Sequence, residues 1–139
     1  SMLDVSIRSG VMNLMAELAA KLEISYLYIT HDLAVARYQA QDIAVMYMGK
    51  VVEMGGMEEV LQNGQHPYTL ALLSAVPVPD PAYQRQPPVI RGSISRSLDP
   101  PDRCRFYERC SRADNYCRDN PHPPLEHKAA GHSVSCYKV

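Results

Sequence analysis

The residues with most chemistry to offer are four cysteines, Cys104, Cys110, Cys117 and Cys136, and a histidine, His31, that closes an apolar run. Thiolates are soft ligands, and the spacing between them limits what they can hold. Five, six and eighteen residues intervene between successive cysteines, whereas structural zinc sites usually rest on a knuckle that sets two ligands about two to four residues apart. No such pair exists here. An iron-sulfur cube places its cysteine ligands at separate corners, so wider spacing suits it, although this spacing follows neither common ferredoxin pattern. On spacing alone three outcomes stay open: a 4Fe-4S cluster, a zinc ion, or two disulfides or free thiols. Arg103, Arg105, Arg109, Arg112 and Arg118 lie among the cysteines and offer positive charge to offset four thiolates. His122, His127 and His132 are alternative ligands, but four cysteines already complete a tetrahedral set. These histidines are therefore expected to be solvent-facing loop residues.

His31 follows Ile24 to Thr30, a run of β-branched and aromatic residues with no internal charge, which predicts a strand covered on both faces. In open α/β sheets ligands bind beyond the carboxyl ends of the strands, where His31 would sit. Two roles fit that position: contact to a ligand, or a cap on the turn into the next helix.

The elements that must hold these residues change character along the chain. Residues 1–76 contain one proline, Pro67, while ten of eleven fall between Pro77 and Pro124. Leu3, Ile7, Val11, Leu14, Leu18 and Leu22 recur at helical spacing, with Asp4 as the expected N-cap. A short helix is expected over Leu33 to Gln39. Ile43 to Met48 and Val51 to Met54 read as a hairpin turning at Gly49-Lys50. Two more helices are expected at Glu58 to Gln62 and Pro67 to Ala75, the second with proline in its first turn, where a missing N–H costs least. The proline-rich stretch from Pro77 to Asp102 is expected to be extended, with Val89 to Ile94 as one short strand. Residues 103–139 carry all four cysteines and too little aliphatic bulk for a core of their own, so a covalent or metal staple is expected there. The organisation expected is a domain over 1–76, a linker over 77–102 and a cysteine-rich extension over 103–139.

Composition excludes several functions. A formal charge of -1, with 7% aromatic residues and no Trp, gives no footprint for nucleic acid. No apolar run reaches the roughly 18–20 residues that span a bilayer, and the first residues lack the pattern of a signal peptide. The phosphate-cradling loop G-x-x-x-x-G-K-[ST] occurs nowhere in these 139 residues.

In order, Ser1-Met2-Leu3-Asp4, a helix, an apolar strand and Thr30-His31-Asp32 resemble the D-loop and H-loop of ABC transporter ATPases. Ile43 to Glu53, His66-Pro67-Tyr68-Thr69, Ala71-Leu72-Leu73 and the four spaced cysteines resemble the ATPase subunits of oligopeptide and dipeptide importers. That resemblance implies an α/β fold: the second half of an ABC-type ATPase domain, a partial sheet with flanking helices, plus a small irregular cysteine-rich extension. It implies that His31 is the switch histidine at the γ-phosphate, that Asp4 acts across the ATPase dimer, and that Cys104, Cys110, Cys117 and Cys136 ligate a 4Fe-4S cluster, with zinc as the alternative. ATP and Mg are implied only for an intact parent protein; the 139 residues alone are expected to be inactive. The implied partners are a second ATPase subunit, two membrane permease subunits and, indirectly, a peptide-binding protein, on the cytoplasmic face of the cytoplasmic membrane. A free-standing iron-sulfur or zinc-binding structural or redox domain is the competing expectation.

Overall fold

An 18-residue helix, α1 (Val5–Leu22), opens the computed structural model, which describes residues 5–76, 89–93, 98–129 and 131–139. The helix stops where Glu23 takes a left-handed conformation (φ 55°) and the Ile24 N–H reaches back to the Ala19 carbonyl at 3.2 Å, a Schellman-type ending. The expected cap, Asp4, lies outside the described residues. A second helix, α2 (Leu33–Gln39), starts at Asp32, whose carboxylate accepts the N–H groups of Ala34 at 3.0 Å and Val35 at 3.3 Å. Gln39 Nε2 donates to the Met12 carbonyl at 2.5 Å, and the Tyr38 hydroxyl to Asn13 Oδ1 at 2.9 Å, tying α2 to α1. These elements form the first of two units, Ser1–Ala40; the second is Gln41–Val139.

Two expectations fail in the first unit. Residues 24–30 form no strand, and Leu27 and Ile29 are 90% and 91% exposed. Their β-branched composition fits a buried strand, but a strand exists only through neighbours that hydrogen-bond to it, and none pairs with it among the described residues. On α1 the apolar stripe of Ile7, Val11, Leu14, Leu18 and Leu22 is likewise exposed, while Met12, off the stripe, is buried.

The second unit is built on a four-stranded antiparallel sheet in the order β1-β2-β4-β3, comprising β1 (Asp42–Tyr47), β2 (Lys50–Gly56), β3 (Glu126–Ala129) and β4 (His132–Val134). The β1–β2 turn is Met48-Gly49, one residue earlier than expected, with positive φ at both positions (45° and 76°), as the twist of a two-residue hairpin requires. The register shifts between Val45 and Met46, leaving Val52 without an opposite residue, and both Val52 and Glu53 are buried at this bulge. At Gly55 a β-carbon would come within 3.0 Å of the Gly131 carbonyl, so β2 and the turn before β4 approach as only glycine permits. Helices α3 (Met57–Asn63) and α4 (Pro67–Ala75) lie where the sequence predicts them.

Residues 103–139 are not a separate irregular extension. They supply two of the four strands and place Phe106 beside Val45, Tyr47, Val52 and Val60 in one core. Their shortage of aliphatic side chains is met by sharing this core, and the compositional break at residue 76 falls inside the second unit. The strand expected at Val89 to Ile94 reduces to a bridge between Ile90 and Cys110, with the Arg91 N–H donating to the Arg109 carbonyl at 2.9 Å; Ile94 is outside the described residues.

Candidate functional site

The four cysteines arrive on different pieces of chain. Cys104 precedes a single 3-10 turn (Tyr107–Arg109), Cys110 closes that turn, Cys117 sits in α5 (Asn115–Asp119) and Cys136 follows β4. Asp114 caps α5 by accepting the Cys117 N–H at 3.1 Å and also pairs with Lys138 Nζ, which anchors the chain end beside the helix. The Lys138 ammonium and the Cys117 N–H hold the Asp114 carboxyl down at about 2.

This arrangement brings Cys104, Cys110, Cys117 and Cys136 around one cavity, together with His66, Pro67 and Phe106. It has room for about 10 Å³, roughly one water molecule. No disulfide joins any of the four thiols. Burial pushes the Cys104 thiol up to about 11, and the other three cysteines push it the same way. Burial likewise raises Cys117 and Cys136. Proximity of several thiolates without a cation is unfavourable, so four together in a buried place favour the protonated form unless positive charge joins them. Backbone N–H groups already turn toward two sulfurs: Phe106 N–H toward Cys104, and Lys138 N–H toward Cys136 Sγ at 3.4 Å.

Of the five arginines expected to compensate the thiolates, Arg112 acts on Cys136. Arg103 pairs with Glu108 and Arg118 with Asp119, while Arg105 donates to the carbonyls of Pro100 and Pro101. Arg109 lies over the rings of Tyr47 and Phe106. Among the described residues no three His, Cys, Asp or Glu side chains are placed to hold a single metal ion.

His66 connects the cavity to the rest of the unit. It is the N-cap of α4, its Nδ1 accepting the Tyr68 N–H at 3.0 Å, and its ring packs 5.8 Å from Phe106. Tyr68, the next aromatic of the motif, packs tilted against Tyr47 at 4.6 Å and Phe106 at 5.5 Å between ring centroids. The His66-Pro67-Tyr68 string therefore starts a helix and plants an aromatic ring in the core. Burial lowers His66 to about 4, against the pull of Glu53.

Below this turn lies a buried polar network that sequence reasoning missed. Glu53 accepts from the Gln65 N–H at 2.7 Å and the His66 N–H at 3.0 Å, and meets His132 Nε2 at 2.7 Å. Glu53 and His132 are both wholly buried, and Glu59 stands 3.5 Å from His132 Nδ1. The expectation that His122, His127 and His132 face solvent holds only for His127. His132 is enclosed because β4 pairs with β2, and the half-buried His122 accepts from the Arg105 N–H and meets Ser135 Oγ. A glutamate inside an otherwise apolar strand was the one available signal, since a buried carboxylate requires partners.

His31 lies in the first unit, exposed, immediately before the Asp32 cap. Asp32, not His31, holds the turn into α2, and the Thr30 hydroxyl accepts the Asp32 N–H at 3.0 Å. No hydrogen bond ties the His31 ring to another described residue.

Residues 52–117 match the family described as the oligopeptide/dipeptide transporter C-terminal region. The matched stretch is a little under half of the chain and is similar to that region. All 139 residues align, at 41% identity, with the dipeptide transport ATP-binding protein DppF of Haemophilus influenzae. Identity is 40% with the oligopeptide transport ATP-binding protein OppF of the same organism and 42% with OppF of Escherichia coli. The chain spans 42% of the length of each of these relatives. The matched stretch holds β2 from Val52 onward, α3, α4 and three of the four cysteines; Cys136 and His31 lie outside it. No helix among the described residues is long and apolar enough to cross a membrane.

Proposed function

We propose that this chain acts as part of the ATPase subunit that powers peptide import across the cytoplasmic membrane. The observation that carries this reading is similarity over all 139 residues to peptide-transport ATP-binding proteins. In the intact subunit His31 contacts the γ-phosphate and positions the attacking water. Its ring is exposed and has no hydrogen-bond partner among the described residues, and such stabilisation of a transferring phosphoryl group is mainly electrostatic. Asp4 acts across the interface with a second ATPase subunit. Two permease subunits and, indirectly, a peptide-binding protein complete the assembly, peripheral on the cytoplasmic side.

With no phosphate loop in its sequence, the 139-residue chain by itself is expected to show no saturable Mg-ATP binding. In the intact subunit His31→Ala should cut ATP turnover at least 100-fold, on the order expected for removing one transition-state contact, while nucleotide affinity changes little. Unchanged turnover would remove His31 from the reaction.

The second part of the proposal is that Cys104, Cys110, Cys117 and Cys136 together hold a 4Fe-4S cluster. Its support is the common cavity, the absence of disulfides and the N–H groups turned toward two sulfurs. Zinc is the alternative occupant, since thiolate sulfurs also ligate a single zinc ion. When bound, the cluster supplies a redox couple and four cross-links. The chain's own residues do the positioning: Cys104 and Cys110 fix the 3-10 turn, Cys117 fixes α5 and Cys136 fixes the end of β4.

A further inference from the structure

A second cavity in Gln41–Val139 is far roomier than the one the cysteines surround. Its volume is about 520 Å³, within the range of pockets that take small organic molecules. The 3-10 turn and the chain leading into it supply one wall, lined by Arg103, Arg105, Glu108 and Arg109. The backbone there is held in place, because the Tyr107 N–H donates to the Cys104 carbonyl and the Arg109 N–H to the Phe106 carbonyl, each at 3.0 Å. Tyr47, at the end of β1, and the exposed Ser93 also line the cavity.

This wall carries more positive charge than the chain neutralises. Arg103 is paired with Glu108, the one carboxylate among the described residues that lines the cavity. Arg105 and Arg109, both half-buried, have no carboxylate partner among the described residues. Arg105 donates through Nη1 to the Pro100 and Pro101 carbonyls at 2.7 and 3.0 Å, and Arg109 through Nη1 to the Tyr47 hydroxyl at 3.4 Å. The Nε of each is buried without a hydrogen-bond partner, although buried donors in folded proteins are nearly always paired. Two guanidiniums on one wall without a counter-charge are an excess that an anion relieves.

We infer that this cavity binds a phosphate group, with Arg105 and Arg109 as its charge partners. The Tyr47 hydroxyl, which accepts from Arg109, keeps its own proton to donate. A carboxylate brings a single negative charge, whereas a phosphate monoester brings about −1.5 to −2 near pH 7 and so balances both guanidiniums. A bare phosphate fills only part of the space, so the group arrives on a larger body, either a soluble phosphomonoester or a lipid headgroup. Mg-ATP is not the ligand, because its metal ion already takes oxygens of the terminal phosphates.

The test is titration of the 139-residue chain with inorganic phosphate at constant ionic strength, followed by the 1H–15N resonances of the arginine Nε–H groups. The signals of Arg105 and Arg109 should move along one saturating curve. Arg109→Gln should weaken the midpoint roughly tenfold or more, the loss expected for one charge-assisted hydrogen bond. The double variant Arg103→Gln, Glu108→Gln removes a pair whose charges cancel and should change the midpoint less than about twofold. Should Arg109→Gln fail to fold, Ser93→Asp decides, since at an exposed position it sets a like charge against the phosphate and should abolish binding. Displacement of inorganic phosphate by glucose 6-phosphate assigns a soluble phosphomonoester, displacement by vesicles of phosphatidic acid in phosphatidylcholine assigns a lipid headgroup, and either upholds the site. Displacement by neither would overturn the proposal. So would resonances that stay in place through the millimolar range of phosphate or move equally with sodium chloride, or binding that Arg109→Gln and Ser93→Asp both leave unchanged.

Discussion

The two units treat apolar residues in opposite ways. In Gln41–Val139 the large apolar side chains meet one another: Val45, Tyr47, Val52, Val60 and Phe106 form a single core. Among the described residues of Ser1–Ala40 only Met12 and Ala36 are buried, while a stripe along α1 and the segment 24–29 stay exposed. Ser1–Ala40 is the more apolar of the two in sequence, with 24 of 40 residues apolar against 40 of 99, so the difference lies in partners. The second unit closes a sheet from strands at both ends of its sequence, whereas the first presents surfaces that nothing among its described residues covers. Contiguous exposed apolar area of this kind marks an interaction surface or an aggregation liability.

Replacing Phe106 with alanine should break this contrast most severely. Its ring touches Tyr47, Tyr68 and His66 and is 1% exposed, and truncating a buried phenylalanine costs about 3–5 kcal/mol. That is a large share of a domain's total stability. Denaturant unfolding followed by near-ultraviolet circular dichroism should show the second unit collapsing. The far-ultraviolet signal of α1, which has no share in that core, should persist.

Acid should produce the next largest effect, again confined to the second unit. Folded His66 stays neutral to about 4 against an ordinary value of 6.5, burial being the main cause. Between those values the unfolded chain binds the additional proton, so stability falls as pH drops from 6.5 to 4 and this contribution is exhausted below 4. At about 1.4 kcal/mol per unit, the loss in the metal-free chain is about 3 kcal/mol. His66→Asn should flatten the slope, measured as midpoint denaturant concentration against pH. A slope unchanged by the substitution would assign it to other groups.

The smallest effect sharpens the comparison from the other side. Leu14→Ala, at an exposed position of α1, should change stability by less than about 0.5 kcal/mol, yet reduce self-association seen by light scattering. A monodisperse monomer before substitution would show that the stripe is already covered.

What the sequence disclosed follows the same division. The β1–β2 hairpin, α2, α3 and α4 were legible because turn residues, caps and periodicity are local signals, and the proline at the start of α4 marked its boundary within a residue. The partners of Glu53 were not legible, since its contact with His132 spans 79 residues of chain and depends on β4 pairing with β2. The Ile24 to Thr30 run shows the reverse error. Its composition fits burial, but composition cannot supply the neighbouring strand. In the candidate site the cysteines were evident from their type alone, while their convergence required the shared sheet that carries Cys136 to α5 and the 3-10 turn.

Metal and sulfide analysis of the anaerobically prepared 139-residue chain, alongside its visible spectrum, tests the central claim about the four cysteines most directly. The account predicts about four iron and four acid-labile sulfide per chain and a brown chromophore that Cys110→Ser bleaches, the number following from a cube with one cysteine at each corner. Stoichiometric zinc, or a metal-free chain with two disulfides, would contradict it.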